Sequence, residues 1–94
     1  MNTDNERAAA AEATLDYVVA LSKHGIDMPP PPPRSVFLIR RGGPRPDEAW
    51  LVAVLLDYRG VEVATFGHAG TIKQWTELGA RLGFPPDRIR VAAS

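Results

Sequence analysis

The chain has 94 residues, enough for one domain with a modest core. Its 11 basic and 11 acidic side chains cancel, which argues against a protein that coats polyanions through bulk charge, and 45% hydrophobic residues argue against wholesale disorder. With no cysteine, disulfides, thiol nucleophiles and thiolate metal sites are excluded.

Thr3, Asp4, Asn5 and Glu6 fit a capping box, with Thr3 as N-cap and Glu6 reaching back. Ala8, Ala11, Leu15, Val18, Val19 and Ser22 then fall on one side at ~100° per residue, which predicts a helix over 4–24 with that stripe as its apolar face. Lys23 and His24 suit the negative helix end, and Gly25 followed by Ile26 suits its termination. No basic segment precedes an apolar run, and no run approaches the ~20 residues that span a bilayer, so a cytoplasmic protein without a membrane partner is expected.

Pro29 to Pro33 is an unbroken run, unable to form helix or central strand. As polyproline II it reaches roughly 15 Å, at ~3.1 Å per residue. It reads as a stiff linker over 28–34, joining the helix to a sheet–helix body over 35–93 within a single domain, 1–94. The competing reading is a ligand for an aromatic-lined groove.

Ser35 to Arg40 is a first strand, and Arg41 to Asp47 a loop of breakers. Trp50 to Leu56 and Val61 to Phe66 form a hairpin around Asp57, Tyr58, Arg59 and Gly60. With Leu56 opposite Val61, one face carries Trp50, Val52, Val54, Leu56, Val61, Val63 and Thr65. The other carries Leu51, Ala53, Leu55, Glu62, Ala64 and Phe66. A three-residue loop with a Gly bulge slips this register by one; the first register is preferred because it groups the larger apolar side chains. Asp57 and Glu62 then flank the turn in water.

Thr71 to Gln74 is a second capping box, opening a helix whose stripe is Ile72, Trp75, Leu78, Gly79 and Leu82 and which Gly83 ends. Arg88 to Ala92 is a short last strand. The fold class is therefore α+β in the order αβββαβ: a three-stranded antiparallel meander, a fourth strand, and two helices on one sheet face. Trp50, Val54, Trp75 and Leu82 are expected to meet under the second helix. That leaves Leu51, Ala53, Leu55, Ala64 and Phe66 as an apolar patch for a protein partner or a second copy in a homodimer.

Three other groups carry weaker chemistry. Arg34, Arg40, Arg41 and Arg45 cluster around the first strand, a possible polyanion contact, with Arg88 and Arg90 as candidates to join them. Gly67, His68, Gly70 and Thr71 sit between a strand and a helix start, where backbone N–H groups hold phosphate in other settings; the plainer reading is a tight corner with a cap. His24 and His68 have no metal-ligand spacing, and Ser22, Ser35 and Ser94 have no partners in a nucleophile constellation. No catalytic residue, metal or cofactor is expected. The resulting expectation is a small non-enzymatic interaction or regulatory protein, such as an inhibitor carried by a phage or mobile element. The alternatives are a nucleic-acid-binding module and a binder of phosphate or another small ligand.

Overall fold

The computed structural model describes residues 3–23, 27–42, 50–67 and 69–92. The expectations placed on His24, Gly25, Ile26, Arg45, His68 and Ser94 lie outside these, as does the side chain of the expected N-cap Thr3. The order is α1 (Thr3–Leu21), β1 (Val36–Arg41), β2 (Leu51–Leu56), β3 (Glu62–Gly67), α2 (Ile72–Arg81) and β4 (Ile89–Ala92), with one 3-10 turn at Pro86–Arg88 before β4. This is the α+β arrangement that the sequence pattern implies.

The sheet order is β3-β2-β1-β4, antiparallel except for the β1–β4 pair. The chain leaves one edge of the sheet at β3, runs through α2, and returns at the other edge beside β1. Register places Phe37 opposite Leu55 and Ile89, Ile39 opposite Ala53 and Val91, and Leu55 opposite Ala64. Because side chains alternate across a strand, these residues share one face with Leu51 and Phe66. Both helices pack on it: Tyr17, Val18 and Leu21 from α1, and Trp75 and Leu78 from α2 with its C-cap Leu82, join Phe37, Ile39, Ala53, Leu55 and Phe84 in one core. Four rings, Tyr17, Phe37, Phe66 and Phe84, interlock at centroid distances of 4.8 to 6.4 Å, every contact tilted or edge-on.

This corrects the expected faces. Leu51, Ala53, Leu55, Ala64 and Phe66 do group together, but they are the floor of the core and not an outer patch. Trp50 and Val54 lie on the opposite face and do not meet Trp75 and Leu82; Trp50 is 42% exposed. The hairpin register at the start of β3 also differs from the preferred one. Gly60, at φ +83°, closes a three-residue loop in which Gly60 N–H donates to Asp57 C=O (2.9 Å) and Asp57 N–H to Val61 C=O (2.9 Å). Leu56 therefore faces Glu62, the alternative register; a bulge at Val63 then sets Ala64 and Thr65 opposite Leu55 and Val54, and a second at Phe66 precedes the Gly67–Ala53 pair.

α1 ends at Leu21, before Lys23. The amide of Ser22 is shared between Val18 and Val19 carbonyls, Lys23 N–H reaches Ala20 C=O, and Ser22 Oγ donates to Val19 C=O (2.7 Å), so the last turn tightens and stops. α2 carries its expected caps. Thr71 Oγ1 accepts from Gln74 N–H (3.1 Å) while Gln74 Oε1 accepts from Thr71 N–H (2.9 Å). At the other end Phe84 N–H donates to Gly79 C=O and Gly83 N–H to Ala80 C=O, a Schellman closure with Gly83 at φ +97°.

The proline run is held against the body. Pro32 is fully buried, and Pro31 lies beside Gly83. Arg88 donates to Pro32 C=O (2.9 Å), Ser35 C=O (2.6 Å) and Ser35 Oγ (3.0 Å), fastening the end of the run to the start of β1.

Candidate interaction surface

The arginines expected to act together are separated. Arg34 precedes β1 and Arg40 and Arg41 end it, roughly 20 Å away at ~3.3 Å per residue. Arg40 is engaged with Glu62, Arg88 with the proline turn, and Arg90 is exposed on β4. Arg34 occupies the third position of the turn Pro32–Ser35 at φ +61°, closed by Ser35 N–H to Pro32 C=O (3.1 Å). Its guanidinium is 75% exposed and 4.0 Å from Glu6.

The corner before α2 is shaped by an indole. A Cβ on Gly67 would stand 3.0 Å from Trp75 Cη2, and one on Gly70 2.8 Å from Trp75 Nε1. The Trp75 N–H donates to Leu51 C=O (3.3 Å). The two glycines thus make room for Trp75, and Thr71 is engaged as a cap. Among the described residues no group of three or more His, Asp or Glu is placed to hold a metal ion, and no helix is long and apolar enough to cross a membrane.

Several buried polar groups were not anticipated, Asp57 and Tyr17 among them. Asp57, expected in water, is buried. Its Oδ1 accepts from Arg59 N–H (2.8 Å) and Val61 N–H (3.1 Å), and its Oδ2 from Arg59 Nε (2.9 Å) and Nη2 (2.7 Å). Burial pushes this carboxyl up, but the Arg59 guanidinium and the two amides outweigh it and hold the pKa below the usual carboxylate value. Tyr17 is fully buried, and its hydroxyl has no partner among the described residues. Desolvation pushes its pKa up to about 12.

The outer side of α1 leaves large apolar side chains open to solvent. Its inner side consists of Ala10, Thr14, Tyr17 and Ala20. The stripe expected to face the core contains Ala8, Ala11, Leu15 and Val19, and these face solvent, Leu15 at 64% and Val19 at 43% exposure. Beside this ridge runs a groove of about 280 Å³ between α1 and the β2–β3 hairpin, walled by Ala11, Thr14, Leu15, Val18, Val63, Asp57 and Arg59. A second cleft of about 340 Å³ lies nearer the helix start, between Arg7, Ala10, Pro33, Arg34 and Tyr58. Comparison with known protein families, with curated proteins and with solved structures found no match.

Proposed function

We propose that this chain is a small non-enzymatic cytoplasmic protein that regulates another protein chain, as an inhibitor does, by binding it through the outer face of α1. The observation that carries the reading is the exposure of Leu15 and Val19 on one ridge, flanked by Ala8 and Ala11. Branched side chains one helical turn apart offer a continuous apolar strip, whereas isolated exposed residues do not. A helix presenting such a strip is a common way to engage a second polypeptide.

The test compares immobilised wild type with Leu15→Glu. Leu15 is exposed, so the variant should unfold at the same temperature as the wild type. A cellular protein retained by the wild type, lost with the variant and rebinding after purification is the expected result. Equal retention of every protein by both baits would sink the reading.

A further inference from the structure

We propose that the cleft between the start of α1, the turn Pro32–Ser35 and Tyr58 binds a small organic anion, one carboxylate or phosphate group carried on a flat apolar body. The site is separate from the α1 ridge, none of whose residues line it. At about 340 Å³ it falls within the ordinary size of small-ligand pockets. Ala9, Ala10 and Pro33 make its surface mostly apolar, and Tyr58 adds an aromatic wall. Two cations, Arg7 and Arg34, line it against one anion, Glu6. Apolar walls with an excess of guanidinium charge recognise an anion that has an apolar body.

Arg34 is the residue that points to a ligand. It holds the third position of its turn at φ +61°, a conformation that glycine and asparagine adopt readily and arginine rarely. The fold draws little from its side chain in return. The guanidinium is 75% exposed, and its ion pair with the half-exposed Glu6 spans 4.0 Å. Backbone strain at a residue whose side chain does not hold the fold marks a position kept for binding.

The side chain reaches α1 at Glu6, and so crosses the mouth of the cleft. At 4.0 Å this contact is too long for a hydrogen bond. A carboxylate or phosphate that accepts two parallel N–H bonds from the planar fork outcompetes it. Arg7, exposed on the next residue of α1 after Glu6, supplies the second cation.

Isothermal titration of the full chain with two probe pairs tests the proposal: naphthoate with its neutral amide, and adenosine monophosphate with adenosine. At least one anion is expected to bind saturably with a Kd below about 1 mM, and about tenfold or more tightly than its neutral counterpart. Which of the two binds distinguishes carboxylate from phosphate. Arg34→Asn should lower the affinity about tenfold or more while the unfolding temperature holds or rises, because asparagine suits the turn. Arg7→Gln should weaken binding in the same way. Ala9→Leu, at an exposed helical position, should block the cleft with both charges intact. Failure of both anions to bind overturns the proposal, as does equal affinity for the neutral counterparts. Binding that survives Arg34→Asn, Arg7→Gln and Ala9→Leu puts the anion elsewhere and overturns the assigned site. A marked fall in unfolding temperature with Arg34→Asn would show that the arginine serves the fold, and overturns its role as the binding residue.

Discussion

Arg40 on β1 and Glu62 on β3 hold each other in a two-point ion pair across the intervening strand, with Nε to Oε2 and Nη2 to Oε1 both 2.9 Å. Arg40 stands opposite Val52 and Glu62 opposite Leu56, so the line between them passes over Val54. Val54 is fully buried on the sheet face opposite the one the helices cover. Nearby, the Trp50 indole lies against Gly42 and Val52, in space that a side chain at position 42 would fill. The apolar centre of this face is thus sheltered by side chains of the chain itself. That removes the main reason to expect a partner on the sheet and turns attention to α1.

Removing the pair should cost little through charge and more through lost cover. The two side chains are 35% and 46% exposed, so solvent screens them, and a double-mutant cycle should give a coupling of about 0.5–1 kcal/mol, smaller at high salt. Arg40→Ala also strips the aliphatic stem, and about 1–1.5 kcal/mol is expected in urea unfolding. Arg40→Met keeps a stem and should recover part of that loss. Equal losses for Ala and Met would show that the stem shelters nothing.

Tyr17→Phe separates ring from hydroxyl. The ring packs edge-on against Phe66 and Phe84 at 6.4 Å, and Phe retains that contact. The hydroxyl is desolvated without a partner among the described residues, so deleting it should leave stability unchanged or raise it by up to about 1–2 kcal/mol. Thermal unfolding reads the sign, and a loss above about 1 kcal/mol would mean that the hydroxyl has a bonding partner.

The element order was legible because caps, glycines and prolines punctuate this chain clearly. Thr71 with Gln74 and Gly83 after Leu82 delimit α2 as read, and the proline run separates α1 from the sheet. Facing was harder to read, for two physical reasons. α1 is apolar on both sides, so periodicity finds two stripes and does not choose between them. Thr14 and Tyr17 made the true inner stripe look polar, yet Thr14 satisfies its hydroxyl on Ala10 C=O (2.7 Å) and Tyr17 brings a large ring. In the hairpin a signal was present and outweighed. Asp57 three residues before Gly60 is the pattern of a type I turn followed by a left-handed glycine, and it specifies the longer loop. Grouping Val61 and Val63 with the other large side chains favoured the wrong register. The separation of Arg34 from Arg40 and Arg41 follows directly from strand rise, whereas the Arg40–Glu62 pair depended on that register.

Asp57 should make the hairpin acid-sensitive. Its carboxylate organises the loop that sets the register of β3, accepting two backbone N–H groups and a two-donor contact from Arg59. The folded pKa is held below the unfolded value of about 3.9, so the folded state binds the proton more weakly than the unfolded chain does. The stabilisation is therefore fully present above the unfolded pKa and is lost as pH falls through the folded one. Asp57→Asn keeps the shape but loses the charge, and a cost of about 1–3 kcal/mol is expected at pH 7, the range for hydrogen bonds to an ionised group. Urea unfolding of both proteins at a series of pH values checks the sign. The gap between them should be constant above about pH 5 and close progressively below about pH 4. A gap that stayed constant into acid would mean that the charge on Asp57 contributes nothing and that the turn is held by shape alone. A gap that widened in acid would place its folded pKa above the unfolded one, with burial outweighing Arg59 and the two amides.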